Sequence, residues 1–191
     1  LFRSAPFRLL IVDDEVANRK LLRNVLLAQQ YQLVEAVNGH EALKLIEQEA
    51  PFDLILLDIM MPEMDGFETC KRLKASMQTK DIPVIFLTAK SDPKDVTTGL
   101  QMGAVDYVTK PFNGSELMAR VKTHLELKFS KELADKQNND RKELLQILSH
   151  DLINAIGDTI FILEQADNKP ELFDSLKEDV LWNLKNGIER I

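Results

Sequence analysis

The sequence predicts an α/β protein with a doubly wound, five-stranded parallel sheet, followed by a long connector helix and an all-α antiparallel hairpin that pairs into a dimeric four-helix bundle. Over residues 7–125, short apolar runs alternate with amphipathic stretches, as strands alternate with helices in such a sheet. After about Leu125 the strand pattern ends and apolar residues recur three or four apart. We therefore predict one domain at residues 5–125, a helical connector at 126–143 and the hairpin at 144–191.

Five strand-helix repeats account for the first domain. The strands are predicted in the runs FRLLIV, YQLVEA, FDLILL, PVIFLT and VDYVT. The helices are predicted in NRKLLRNVLLA, HEALKLIEQ, GFETCKRLKA, DVTTGLQM and GSELMARVKTHLEL. Parallel strands joined in this way carry helices on both faces of the sheet.

Composition excludes several classes of protein. The 191 residues are 45% hydrophobic and 29% charged, which is enough for a core of ordinary size. They contain neither an apolar run of about 18 residues nor a secretory leader, so we expect no membrane partner. A net charge of −7 argues against a nucleic-acid partner. Cys70, the only cysteine, indicates a reducing, cytoplasmic location and is expected to be a packing residue.

The ends of the chain suggest a piece of a longer protein. The chain starts at Leu1 rather than Met, and it stops at Ile191 inside an unfinished helical pattern. We expect further sequence on at least one side.

Polar residues with a common chemistry stand at the ends of four predicted strands. Asp58 ends one apolar run, and Asp13-Asp14, Thr88 and Lys110 end three others. The carboxyl ends of parallel strands converge on one crevice, and a pocket with three carboxylates, a hydroxyl and an ammonium suits a divalent cation and a phosphoryl group. Without a cation, one of the crowded carboxylates should resist ionisation.

The motifs LLIVDDE, LILLDIMMPEMDG, PVIFLTA and DYVTKPF together resemble the receiver domain of bacterial response regulators, which has a flavodoxin-like fold. The resemblance implies that Asp58 is the phosphoacceptor. It also implies a Mg²⁺ ion held by Asp14, Asp58 and the backbone carbonyl of Met60, with Asp13 acting mainly through a bound water.

The same resemblance assigns roles to the residues after the last two strands. Thr88 would donate a hydrogen bond to the phosphoryl group, and Lys110, before a cis peptide bond to Pro111, would pair with its charge. Taken alone, Lys110 could equally be a solvated loop lysine and Thr88 a strand-end cap. Tyr107 occupies the family's aromatic switch position, although a tyrosine there could also be a core or interface residue.

Met60 and Lys90 occupy two positions that vary in the family and tune hydrolysis of the acyl phosphate. We hypothesise that Met60 screens the phosphoryl group from water, so that the phosphorylated state is long-lived. Autodephosphorylation within seconds would refute this.

The C-terminal part carries two apolar seams separated by the polar turn ADNKPE. The seams are Leu145, Leu148, Leu152, Ile156, Ile160 and Leu163, and then Phe173, Leu176, Val180, Leu184, Ile188 and Ile191. Pairing two hairpins would bury both seams, which predicts a homodimer. The preceding segment DKQNNDRKE is nearly devoid of apolar residues, so both an exposed helix and a local break remain open.

His150 lies about 200° around the helix from the first seam and should face solvent. Its segment resembles the dimerisation and histidine-phosphotransfer domain of histidine kinases, roughly over residues 126–191. That resemblance implies that His150 accepts phosphate, that Asp151 is its base and that Asn154 stands where the family positions a phosphatase water. Ala155 departs from the family, which commonly has a helix-kinking proline there.

His40 and His124 have no comparable context and are expected to be ordinary surface residues.

These observations predict a two-component signalling protein in which the receiver regulates, or exchanges phosphate with, the dimeric hairpin. It would be a fragment of a hybrid histidine kinase/response regulator whose ATP-binding domain lies beyond Ile191, because residues 1–191 contain no glycine-rich nucleotide box. The phosphodonor would be a histidine kinase or phosphotransfer protein. The alternatives are a non-catalytic phosphorelay or adaptor protein, and a receiver with a purely structural coiled coil.

Overall fold

A computed structural model describes residues 6–27, 29–49, 51–89, 99–168 and 182. Its sheet has five parallel strands in the order β2-β1-β3-β4-β5. The strands are β1 (Arg8–Val12), β2 (Gln32–Ala36), β3 (Leu54–Asp58), β4 (Val84–Thr88) and β5 (Asp106–Thr109). The helices are α1 (Val16–Leu27), α2 (Gly39–Gln48), α3 (Gly66–Ala75) and α4 (Gly114–Asn168). The predicted flavodoxin-like parallel fold is therefore confirmed.

One predicted helix is only partly visible. The run DVTTGLQM covers residues 95–102, and most of it lies outside the described residues. Within the described part, residues 99–101 are helical.

The central strands alternate their side chains between two apolar cores. On one face Leu10, Ile55 and Phe86 are buried in a cluster that includes Ala42 of α2 and Leu73 of α3. On the other face the intervening strand residues are buried with residues of α1 and α4, namely Leu9, Ile11, Leu22, Leu26, Leu54, Leu56, Ile85, Leu87, Leu117, Val121 and Leu125. Strands covered on both faces read as continuous apolar runs, which is the pattern seen in the sequence.

The start of α3 lies against the end of β3. Asp65 caps the helix by accepting a hydrogen bond from the Glu68 N–H. The Gly66 N–H donates to the Ile59 carbonyl at 2.9 Å, and a Cβ at Gly66 would lie 2.2 Å from the Asp58 carbonyl oxygen. Only glycine leaves room for this approach.

Contacts divide the chain into two compact units, residues 1–131 and residues 132–191. Within the first unit, α4 continues along the sheet after the buried Leu125. The Lys128 ammonium donates to the Phe52 carbonyl at 3.1 Å, and that of Lys131 pairs with Asp81 at 2.9 Å.

In the second unit, the weakly apolar segment 135–143 is helical and fully exposed. The first seam is also solvent-exposed in the single chain, since Leu145, Leu152, Ile156 and Ile160 are each between 42% and 53% exposed. The predicted second helix of the hairpin falls on residues 169–191, which, apart from the helical Trp182, lie outside the described residues. Among the helices that the structure describes, none combines the length and the apolar character that a membrane span requires.

Candidate metal and phosphoacceptor site

Three carboxylates meet at the carboxyl edge of the sheet. Asp13 and Asp14 directly follow β1, and Asp58 is the last residue of β3. One oxygen from each carboxylate lies within 4.8 Å of the others, with Asp13 and Asp58 buried and Asp14 exposed. These are hard oxygen ligands on one rim, so the donor set fits a Mg²⁺ ion.

Lys110 joins two of these carboxylates. Its ammonium lies 2.8 Å from Asp13 Oδ2 and 2.8 Å from Asp58 Oδ2. The Lys110 N–H donates to the Thr88 carbonyl at 2.7 Å, which holds the start of this loop against the end of β4. The Lys110-Pro111 peptide bond is cis. Lys110 is therefore an ion-paired residue of the pocket and not a solvated loop lysine.

The pKa of Asp58 is raised above its ordinary value. Burial is the largest cause, and the nearby charge of Asp13 adds to it. The hydrogen bond and charge of Lys110 and the Met60 N–H act in the opposite direction. We expected one carboxylate to resist ionisation because of repulsion between the acids. The pKa of Asp58 is raised, as expected, but loss of solvent contributes more to the rise than repulsion does.

The pKa of Lys110 is also raised, which favours the charged form of this base. Burial by itself would lower its pKa, but the hydrogen bonds and charges of Asp13 and Asp58 raise it above the ordinary lysine value. The lysine is therefore charged at neutral pH and supplies a cation between the two acids.

The Asp13-Asp14 loop is held by two residues of α1 that none of the sequence motifs indicated. Asn18 donates to Asp13 Oδ1 at 3.1 Å. Arg19 is buried, and its Nη1 donates to the backbone carbonyls of Asp13 at 2.7 Å and Asp14 at 3.1 Å. A signal existed, because Arg19 shares the buried stripe of α1 with Leu22 and is a charged residue on an apolar face.

Thr88 and Tyr107 lie on the neighbouring strands. Thr88 is buried at the end of β4, one residue beyond the register partner of Asp58. Tyr107 is half-buried in β5 and packs against the core that includes Phe86. The Arg120 guanidinium carbon lies 5.9 Å from the centre of the Tyr107 ring.

His124 is not the ordinary surface residue that the sequence suggested. Its side chain is 16% exposed, and its Nε2 lies 3.1 Å from Asp106 Oδ2. Arg120 contacts both oxygens of the same carboxylate at 2.7 and 2.9 Å. The prediction failed because Asp106, on β5, becomes the neighbour of His124 and Arg120 only after α4 packs on the sheet.

Met60 lies in the loop after β3 and is 73% exposed, so it extends into solvent. Lys90, the other variable position, lies outside the described residues.

A second polar cluster is described within residues 132–191. The His150 side chain is 74% exposed, so the expected solvent-facing position is present. Asn154 Nδ2 lies 3.1 Å from His150 Nδ1, and Asp151 Oδ1 lies 3.6 Å from the same nitrogen. The side chain of Ala155 lies outside what the structure describes.

A doubly wound parallel sheet with an acidic triad and an ion-paired lysine at its carboxyl edge defines the class of the first unit: an α/β domain built to hold a divalent cation beside a buried aspartate. Comparison with known families supports this class. Residues 9–122 match the response regulator receiver domain, and the chain belongs to that family. Receiver domains of two-component systems are phosphorylated on aspartate, bind Mg²⁺ at an acidic cluster and interact with phosphodonor histidine kinases or phosphotransfer proteins.

Individual relatives show how far the similarity extends. A probable cyclic di-GMP phosphodiesterase of Vibrio cholerae is 47% identical over 131 residues, which is 69% of this chain and 29% of that protein. The receiver domain of a histidine kinase from Syntrophus aciditrophicus is 40% identical with a TM-score of 0.58, covering 63% of this chain and 90% of that one. The chemotaxis protein CheY4 of Vibrio cholerae is 33% identical with a TM-score of 0.59, covering 62% and 98%. The chain thus spans less than a third of the length of the curated relative.

Proposed function

We propose that Asp58 is the residue of this receiver that accepts the phosphoryl group, and that Asp13, Asp14, Asp58 and the backbone carbonyl of Met60 hold the Mg²⁺ ion. The observation that carries the proposal is the position of Lys110, whose ammonium lies 2.8 Å from the carboxylates of both Asp13 and Asp58. A cation is thus already required at this point to offset two buried acids.

The residues of the pocket have distinct tasks in phosphoryl transfer. Bound Mg²⁺ would neutralise charge on the incoming phosphoryl group, which a carboxylate otherwise repels. An Asp58 oxygen attacks phosphorus, a new O–P bond forms, and the P–N bond of a phosphohistidine donor breaks while the leaving imidazole takes up a proton. Lys110 pairs with the transferred phosphoryl oxygens and Thr88 donates a hydrogen bond to them.

The lifetime of the product depends in this proposal on Met60. Met60 offers no polar group to orient an attacking water, and we propose that its side chain, exposed in this state, screens the phosphoryl group after transfer. A long-lived acyl phosphate should result.

Phosphorylation would act on the rest of the chain through α4. We propose that Tyr107 is the switch residue, because its ring lies in β5 beside Arg120 of that helix. The change would bias the helical connector, at residues 126–143, and the presentation of His150.

We further propose that residues 144–191 form a homodimeric histidine-phosphotransfer hairpin in which His150 accepts phosphate. Its support is the solvent exposure of His150, the contacts of its ring nitrogen with Asn154 and Asp151, and the exposed apolar seam on the same helix. A seam of this kind needs a partner surface, and a second copy supplies one.

The longer protein in this proposal is a hybrid histidine kinase with an ATP-binding domain beyond Ile191. The similarity to a receiver domain that belongs to a histidine kinase favours it. The same hairpin without an ATP-binding domain would instead serve a phosphorelay, and the sequence beyond Ile191 distinguishes the two.

Labelling with a radioactive phosphodonor tests the aspartate. We expect acid-stable label on the wild-type chain in Mg²⁺, and no label after addition of EDTA or in Asp58→Asn. Asp65→Asn is the matched control. Asp65 is an exposed aspartate between β3 and α3, where it caps α3, and it lies outside the acidic cluster. Equal labelling of the Asp58→Asn chain would overturn the proposal.

The histidine and the dimer are tested separately. Base-stable label should appear on the full-length protein and vanish in His150→Gln. Light scattering should report a dimer of the 191-residue chain, and Leu152→Glu should convert it to a monomer, whereas His150→Glu, on the opposite side of the helix, should leave the dimer intact. A monomeric wild-type chain would refute the dimer.

A further inference from the structure

Arg19 is a buried cation beside the acidic cluster, and its described hydrogen bonds reach the backbone of that cluster rather than its three carboxylates. Its side chain is 10% exposed. Burying an arginine is costly unless hydrogen bonds and an opposite charge compensate it. Two backbone carbonyls and one carboxylate do so here.

The two carbonyls belong to consecutive residues of the loop that carries the cation ligands. Nη1 of Arg19 donates to the Asp13 carbonyl at 2.7 Å and to the Asp14 carbonyl at 3.1 Å. The chain has already left β1 at this point, and α1 begins only at Val16. A single guanidinium nitrogen therefore fixes the main chain between the strand and the helix.

This matters most for Asp14. The Asp13 carboxylate is held directly, by the Glu15 N–H at 2.9 Å, by Asn18 and by Lys110. The Asp14 carboxylate is exposed and makes no hydrogen bond or ion pair with the other residues that the structure describes. Its position near Asp13 and Asp58 therefore depends on its own backbone.

Glu35 of β2 completes the arrangement. Its Oε2 accepts from Arg19 Nε at 3.4 Å, and its Oε1 accepts from Arg23 Nη1 at 2.8 Å. Glu35 thus accepts from a different nitrogen of the guanidinium than the loop carbonyls do, and it offsets the charge of Arg19. Arg23 shares this carboxylate, is 46% exposed and, among the residues that the structure describes, pairs with Glu35 and not with the Asp13-Asp14 loop.

We propose that Arg19 is a positioning residue of the cation site: by holding the Asp13 and Asp14 carbonyls, it keeps the two carboxylates directed at the same point as Asp58. The inference rests on the proposed Mg²⁺ site. In this role Arg19 strengthens Mg²⁺ binding, which is the opposite of what its charge alone would do, because a nearby positive charge by itself weakens binding of a divalent cation.

The sign of the effect distinguishes the two roles. If Arg19 acted through charge alone, Arg19→Gln would tighten Mg²⁺ binding. If Arg19 positions the ligands, Arg19→Gln should instead weaken Mg²⁺ binding by about tenfold or more, as loss of a group that orients metal ligands does elsewhere. Arg19→Lys should recover part of the affinity, since an ammonium can donate to the carbonyls but lacks the planar fork that also reaches Glu35.

Titration of the ¹⁵N-labelled 191-residue chain with MgCl₂, followed by amide chemical shifts, measures the dissociation constant and shows in the same spectra that each variant is folded. We expect the order wild type, Arg19→Lys, Arg19→Gln from tight to weak. Arg23→Gln is the matched control, because it removes the other arginine on Glu35, and its dissociation constant should stay within about twofold of wild type.

A dissociation constant for Arg19→Gln equal to or below that of wild type would overturn the inference, whatever the effect on thermal stability. If Arg19→Gln does not fold, Glu35→Gln and Arg19→Lys test the inference instead. Each should weaken Mg²⁺ binding several-fold, and unchanged affinity in both variants would overturn the inference. A wild-type chain that shows no Mg²⁺-dependent shifts would refute the proposed cation site itself, which is a different failure.

Discussion

Replacing Lys110 by Met removes the ammonium that lies between Asp13 and Asp58 while keeping an unbranched side chain of similar length. The two carboxylate side chains are 0% and 6% exposed, so neither can recover its hydration without local rearrangement. We expect the variant to be less stable without Mg²⁺, and to gain more stability from Mg²⁺ than the wild-type chain does.

The size of the effect follows from the burial of the pair. Removing one partner of a buried ion pair costs about 3–5 kcal/mol. Because the Lys110 side chain is 17% exposed and a carboxyl can take up a proton, we expect the lower end, about 3 kcal/mol, or roughly 10 °C in Tm for a domain of this size. If Mg²⁺ binds about tenfold more tightly without the competing ammonium, saturating Mg²⁺ should restore about 1.4 kcal/mol more in the variant than in wild type.

Thermal unfolding with and without Mg²⁺ measures both quantities. The near-ultraviolet tyrosine signal reports the receiver, because Tyr31 and Tyr107 are the only tyrosines and both belong to the first unit. Lys122→Met is the matched control, since Lys122 is 67% exposed and its ion pair lies at the surface, so its unfolding free energy should change by less than about 0.5 kcal/mol. A Lys110→Met chain as stable as wild type, or one that Mg²⁺ stabilises no further than wild type, would refute the reasoning.

Three further changes have measurable outcomes. Gly66→Ala places a Cβ 2.2 Å from the carbonyl oxygen at the end of β3, so urea unfolding should show a loss of at least about 2–3 kcal/mol; a loss below 1 kcal/mol would contradict this packing. Lys128→Met should cost about 1–2 kcal/mol because the Lys128 side chain is only 16% exposed and its ammonium donates to a backbone carbonyl. Lys131→Met should be nearly neutral because the Lys131 side chain is 65% exposed, and equal effects would contradict the difference in burial. Although burial acts to raise the pKa of Asp106, hydrogen bonds from Arg120 and neighbours hold that pKa below its ordinary value. The stability that depends on this pair is therefore present above the ordinary aspartate pKa of about 4 and is lost as the pH falls below it. The difference in unfolding free energy between wild type and Arg120→Met should shrink over that range, and a difference that stays constant as the pH falls would exclude the ion pair as its source.

Much of the receiver fold could be predicted because each element carries its own local pattern. The helix predicted in GFETCKRLKA is observed at Gly66–Ala75, where Asp65 caps its start. The strand predicted in PVIFLT is observed at Val84–Thr88, and all five of its residues are buried. Cys70 is buried as a packing residue, as expected, and its burial raises the pKa of the thiol.

The contacts of the site could not be predicted to the same degree. Lys110 and Asp13 are 97 positions apart, and they meet only because β1 and β5 belong to one sheet. The motifs suggested that these residues act together, but a lysine that bridges two acids, with Asp58 more affected by burial than by repulsion, is a property of the folded chain. His124 was misjudged for the same reason, since its partner Asp106 lies on another element.

The order of strands and helices, the apolar seam of the C-terminal helix and the identity of the acidic residues at strand ends were determined by the sequence alone, because they depend on the spacing of neighbouring residues. Only the tertiary structure decided which charges are buried, which cation lies between Asp13 and Asp58, and that Arg19 holds the main chain beneath two of the acids. Desolvation and ion pairing depend on all the atoms within a few ångströms of a group, and most of those atoms come from distant parts of the chain.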